Sequence, residues 1–194
     1  MPLILEGIVT TLAEDGSLNI SPMGPIVEAE NDLSRLTLRP FQTSRTYRNL
    51  KRTGVGVFHV VDDVLLLARA AIDEWDKAPE TFPAERIEGH VLSDACRWYE
   101  FEVTILDDAG ERTTIEVRTV HTGRLRDYFG LNRAKHAVLE LAIHCTRLFL
   151  MSKEDVASER DRLRIAVDKT AGKSERDAFD LLCDYIDRYY SSPI

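Results

Sequence analysis

Apolar and polar residues alternate over Leu33-Ser34-Arg35-Leu36-Thr37-Leu38, as expected of a strand with one buried face. The same alternation runs through WYEFEVTILDDAGERTTIEVRTVHTG, where two arms flank Asp107-Asp108-Ala109-Gly110 and predict a hairpin. ILEGIVTTLAEDGSLNISPMGPIVEAE holds two extended segments around the turn signal Glu14-Asp15-Gly16. Gly54 to Val61 is a further β-rich run. Two helical stretches interrupt these strands. One follows Ser44 and puts Tyr47 and Leu50 on one face; the other is DVLLLARAAI, residues 63–72. The segment 73–90, with Pro79, Pro83 and Gly89, reads as a loop excursion.

From Asn132 the period changes. Ala134, Val138, Leu141, Ala142, Cys145, Leu148 and Phe149 mark one face of a long helix. A second helix is predicted from Ser152, where Asp155 stands at capping-box spacing, with Val156, Leu163 and Val167 inward. A third is predicted from Ser174, with Phe179, Leu182, Cys183, Ile186 and Tyr190 in line. Strands followed by helices argue against a Rossmann fold, which alternates them throughout. A closed or split antiparallel barrel with a helical appendage fits the order.

Composition narrows the function. The 194 residues suffice for one good-sized domain, or a main domain with a small appendage. The net charge of −8 opposes a general nucleic-acid or anionic-membrane binder, since both need a positive field. Cys96, Cys145 and Cys183 are far apart and without metal-ligand spacing, which fits free thiols in a reducing cytoplasm. MPLILEGIV carries no basic leader and no cleavage signature, and no apolar run is long enough to span a bilayer. A cytoplasmic protein is expected.

Several chemistries are missing from the sequence. There is no Gly-rich loop ending in Lys-Ser or Lys-Thr and no Gly-x-Ser-x-Gly elbow. His59, His90, His121, His136 and His144 do not pair at helical ligand spacing, so no metal site is expected. Asp62-Asp63 and Asp107-Asp108 read as helix-start and turn residues. No catalytic constellation emerges.

RPFQTSRTYRNL, residues 39–50, concentrates donors. The start of a helix offers free N–H groups and a positive dipole end. Thr43, Ser44 and Thr46 add hydroxyls, and Arg39 and Arg45 add guanidinium groups. Pro40 stops Arg39 from running on as helix. This set suits a phosphate; Ser44 as a plain helix cap beside solvated arginines is the other reading. NISPMGP, residues 19–25, is the second unusual stretch. Pro22 and Pro25 lack N–H groups, so the strand is irregular or at an edge. Gly24 allows close backbone approach, and Ser21 and Met23 suit the edge of an aromatic ligand.

NISPMGP, RPFQTSRTYRNL and GVGVFHVVDD, in that order, resemble the FMN-binding split-barrel proteins, flavin reductase-like. They are most similar to a poorly characterised prokaryotic branch with a C-terminal helical subdomain, and GLNRAKHAVLELAIHCTRL, residues 130–148, extends the resemblance. It implies a mainly β chain with an added helical part: an antiparallel split barrel over 1–130 and a three-helix subdomain over 131–194, packed on the barrel. It also implies a homodimer with FMN near the subunit interface. By position, Arg39, Thr43, Ser44, Arg45 and Thr46 would hold the FMN phosphate. Ser21, Met23 and Gly24 would lie along the isoalloxazine ring, and Phe41 and His59 would flank the site. His59 stands where an asparagine is more usual, and its charge would titrate near neutral pH. Leu131 stands where an aromatic is more usual. The function implied is flavin reductase-like oxidoreduction on bound FMN. A non-enzymatic electron carrier, or a partner-binding scaffold that has lost its ligand, stays open.

Overall fold

The computed structural model describes residues 3–30, 32–110 and 112–191. The strands are β1 (Leu3–Ile4), β2 (Gly7–Leu12), β3 (Leu18–Met23), β4 (Ile26–Val27), β5 (Arg35–Leu38), β6 (Val55–Val60), β7 (Thr81–Pro83), β8 (His90–Leu92), β9 (Arg97–Asp107) and β10 (Thr114–Arg124). The helices are α1 (Arg45–Thr53), α2 (Val64–Ile72), α3 (Arg133–Cys145), α4 (Lys153–Thr170) and α5 (Lys173–Ser191). The chain divides into two compact units. One runs to Val61 and resumes over Lys77–Tyr128; the other comprises Asp62–Asp76 and the chain from Phe129 onward.

The first unit is an antiparallel sheet in the order β1-β4-β5-β10-β9-β6-β2-β3. β1 and β2 are two parts of one arm, and β3 and β4 are two parts of the next. Leu3 pairs with Val27, Ile4 with Ile26 and Gly7 with Met23, and Leu5 N–H donates to the Pro25 carbonyl across the break at 3.0 Å. Because β4 also pairs with β5 through Ile26 and Thr37, the ladder returns through β10, β9 and β6 to β2. The circuit is a barrel, and it is split along β3, which among the described residues pairs on its β2 side alone. Pro22 sits on this edge strand, where a missing N–H costs no ladder bond.

The barrel interior is filled by Val9, Leu36, Leu38, Phe58, Phe101, Ile115 and Val117, joined by Tyr47 and Leu50 of α1. The helix is strongly one-sided, and its apolar stripe plugs the barrel. Segment 73–90, expected as a plain loop, contains β7, which pairs with β8. The Glu100 carboxylate holds the following turn by accepting from the N–H groups of Glu85 (2.8 Å) and Arg86 (2.7 Å).

In the second unit α2 packs with α3 and α5, and α4 packs with α3 and α5. Asp63, Asn132 and Ser152 cap α2, α3 and α4 by accepting first-turn N–H groups. Val156, Leu163 and Val167 are the inward residues of α4, as expected. Two expectations change. The helix from Asn132 stops at Cys145; Leu148–Leu150 is a separate single turn, which leaves Phe149 65% exposed. The helical unit also takes in α2, so it does not begin at a single boundary near residue 130. Cys96, Cys145 and Cys183 are all buried.

Candidate functional site

The segment between β5 and α1 is fastened at several points. The Pro40 carbonyl accepts from Thr113 N–H (3.1 Å) and from the Thr113 hydroxyl (2.9 Å). Gln42 Nε2 donates to the carbonyls of Asp108 and Gly110, each at 2.7 Å. Ser44 N–H donates to the Phe41 carbonyl at 3.0 Å and closes a turn. Ser44 Oγ then accepts from Tyr47 N–H at 3.2 Å and starts α1.

The first turn of α1 runs against the usual order, while its last turn carries the usual cations, Lys51 and Arg52. Helices favour carboxylates in the first turn and cations in the last, each worth about 0.3–1 kcal/mol. The sequence RTYRNLKRT has no acidic residue, and Arg45 and Arg48 lie at the positive end of the dipole. Both are exposed, as are Arg39 and Thr43 just before the helix. In a chain of net charge −8, this is a local concentration of positive charge and hydrogen-bond donors. Farther along, Lys51 pairs with Asp108 at 2.7 Å, and that hydrogen bond holds the ammonium above its ordinary pKa. Lys51 is thereby drawn to the hairpin turn.

The inward side of the first turn is different. Thr46 is buried, and its Oγ1 accepts from Asn19 Nδ2 of β3 at 3.1 Å. The hydroxyl expected at a phosphate is thus engaged beneath the helix. This contact places the start of α1 over β3. Asn19, Ser21 and Met23 share one face of that strand, because side chains alternate. Met23 packs on the barrel core and Ser21 is half-buried. The space for a Cβ at Gly24 is taken by Ile4 and by the Glu6 carboxylate, 2.8 and 2.9 Å away.

The two flanking residues are held by the protein itself. The Phe41 ring lies 4.4 Å from the Arg112 guanidinium. His59 is fully buried: its Nε2 accepts from Leu92 N–H at 3.1 Å, so Nδ1 carries the proton and donates to the Ile8 carbonyl at 3.2 Å. Burial pushes its pKa down to about 4. The expected titration near neutral pH is therefore corrected: the ring stays neutral, and both nitrogens are satisfied by backbone.

The structure thus brings Arg39, Thr43, Ser44 and Arg45 to one helix start. Through Thr46 and Asn19 it links them to the strand bearing Ser21 and Met23. Sequence reasoning passed over Arg48, Gln42 and Asn19, although Asn19 opens the NISPMGP stretch. The unit also holds an apolar cavity of about 340 Å³, lined by residues including Ile4, Leu33, Val60, Arg97 and Tyr99, and a polar one of about 550 Å³ near Arg52 and Arg86. Neither of these two is lined by the ten expected residues. Among the described residues no group of three His, Cys, Asp or Glu side chains is placed to hold a metal ion. No helix among them is long and apolar enough to cross a membrane.

A split antiparallel barrel with a helix plugged into it, together with a helical unit, defines a fold of the FMN-binding, flavin reductase-like type. The chain belongs to the DUF447 family of proteins of unknown function: residues 5–126 match its N-terminal domain and residues 132–184 its second part. A structure of an FMN-bound protein of that family from Methanosarcina mazei superposes with a TM-score of 0.80 at 24% identity, covering 95% of this chain and 96% of that one. The 2-nitrobenzoate 2-nitroreductase of Pseudomonas fluorescens gives 0.53 at 17% identity, covering 64% and 66%. Nitrilotriacetate monooxygenase component B of Bacillus cereus gives 0.52 at 15% identity, covering 68% and 73%. These likenesses establish the fold. A comparison with curated proteins finds no match.

Proposed function

We propose that this chain is an FMN-binding flavoprotein that acts as a flavin reductase-like oxidoreductase, in the cytoplasm, as a homodimer with the flavin near the subunit interface. The observation that carries the reading is the basic, carboxylate-free first turn of α1. Arg45 and Arg48 stand at the positive end of the helix dipole with no acidic residue in α1, an arrangement that an external anion stabilises. The fold of the FMN-bound Methanosarcina mazei protein supports flavin as that anion's source.

The residues fit the group. A phosphate monoester needs cations and donors on one side, and Arg39, Thr43, Ser44 and Arg45 supply them. Ser44 Oγ accepts from Tyr47 N–H, so its own proton remains for an anion. Thr46, turned inward, holds the helix rather than the ligand. Ser21, Met23 and the backbone at Gly24 follow along β3 as the edge for the ring. Bound FMN would supply the redox chemistry, and the protein's part is binding, orientation and electrostatics. His59 is neutral and fully occupied, so it shapes the barrel wall and moves no proton.

The test is an absorbance spectrum of the purified protein from about 300 to 550 nm, before and after adding FMN and desalting. Retained flavin bands are expected. Replacing Arg39 and Arg45 together by alanine should release the flavin with the far-ultraviolet circular dichroism unchanged; undiminished FMN affinity in that variant would overturn the assignment. Oxidation of NADH or NADPH by the holoprotein separates an enzyme from an electron carrier.

A further inference from the structure

Four polar side chains meet beneath α1. Thr11, Asn19, Thr46 and Asn49 are exposed by only 3, 4, 2 and 6%. Asn19 Nδ2 spends both hydrogens here, on Thr11 Oγ1 (3.2 Å) and Thr46 Oγ1 (3.1 Å). Asn49 Nδ2 donates to the same Thr11 oxygen at 3.0 Å. Thr11 and Asn19 are direct partners across the β2–β3 ladder. One amide therefore ties two strands and the first turn of the helix together.

Buried polar groups cost free energy unless fully bonded, and they give direction that apolar contacts lack. Apolar packing alone lets a helix rotate or slide by small amounts. A bond from Asn19 to Thr46 fixes the rotation of α1 about its axis. Successive helical residues are turned by about 100°, so holding Thr46 inward holds Ser44 and Arg45 outward. The same Asn19 lies two residues before Ser21 and four before Met23. Four residues of strand span about 13 Å. The tie thus joins the phosphate end of the proposed flavin site to its ring end.

We infer that Asn19 is a positioning residue that sets these two ends in register and so determines the preference for FMN over riboflavin, which has the same ring and no phosphate. This rests on the flavin reading above and adds a residue that touches no ligand.

The experiment titrates FMN and riboflavin separately, by quenching of flavin fluorescence, into the wild-type protein and four variants: Asn19→Ala, Thr46→Val, Thr46→Ser and the Asn19→Ala/Thr46→Val pair. Asn19→Ala should weaken FMN about tenfold or more and riboflavin less than about twofold. Thr46→Val, which keeps the shape and removes the acceptor, should do the same even if Asn19→Ala folds poorly. The double variant should be no worse than Asn19→Ala alone, because each single variant already breaks the Asn19–Thr46 bond. Thr46→Ser retains the oxygen and should retain the preference. Equal weakening of both ligands, an unchanged ratio, or additive effects would overturn the positioning role while leaving the FMN site standing. A wild-type protein that binds both flavins alike would remove the phosphate site itself, and this inference with it.

Discussion

Burial leaves the His59 imidazole with two backbone partners and no exposed surface. Its consequence is a pH dependence of stability. The folded pKa of about 4 lies below the unfolded value of about 6.5. As pH falls through about 6.5 the unfolded chain takes up the proton first, so the stability present above that pH is lost progressively. The loss levels off below the folded pKa and amounts to about 3 kcal/mol. Urea unfolding at intervals between pH 7 and 4.5 measures it. His59→Gln should be less stable at pH 7 and should show a shallower decline over that range. An identical slope in both proteins would show that His59 does not contribute. The sequence did not reveal this role. GVGVFHVV is apolar on both sides of the histidine, so no alternation shows which face it takes. The same limit hid the inward turn of Thr46, since the hydroxyls around Arg45 look alike until the strand under the helix is known.

At the scale of an element, α1 carries two demands that pull apart. Its N-cap must accept N–H groups, and its first turn must attract an anion. Serine serves both, because its hydroxyl accepts from Tyr47 N–H and still donates outward. Aspartate caps as well as serine, and its charge suits the dipole by about 0.3–1 kcal/mol. Ser44→Asp should therefore keep or raise the melting temperature of the FMN-free protein while weakening FMN retention about tenfold or more. Thermal unfolding and desalting of the flavin-loaded protein read the two effects separately; a variant that retained FMN as wild type does would exclude an anion at this turn. The cap itself was legible in the sequence, as were the helix starts at Asn132 and Ser152, because capping chemistry is local. β7 was not legible. It has three residues and ends in Pro83, and its pairing with β8 depends on the barrel strands around it. The helix from Asn132 was read too long because Leu148 is buried in phase with α3, although the backbone breaks before it.

At the scale of the molecule, the two units do not follow each other along the chain. α2 lies between β6 and β7 in sequence, yet packs with α3 and α5. The turn signals, alternation and helical period gave the order of elements, and the family match also divides near residue 130. Neither shows which helices share a core, because α2 is apolar nearly all round and fits any buried setting. Its Val64, Leu66, Leu67, Ala68, Ala70 and Ile72 are buried. A fragment ending at residue 130 would keep α2 and lose α3 and α5, exposing side chains whose burial is worth about 1.5–3 kcal/mol for each large one. An apolar patch of that kind promotes association. The fragment 1–130 is therefore expected to aggregate and to bind 8-anilino-1-naphthalenesulfonate. The same fragment with residues 62–76 replaced by a Gly/Ser linker of equal length should stay dispersed in gel filtration and keep the barrel. A dispersed, dye-silent 1–130 fragment would mean that α2 belongs with the barrel. Aggregation of both fragments would mean that the barrel unit does not fold without the rest of the chain.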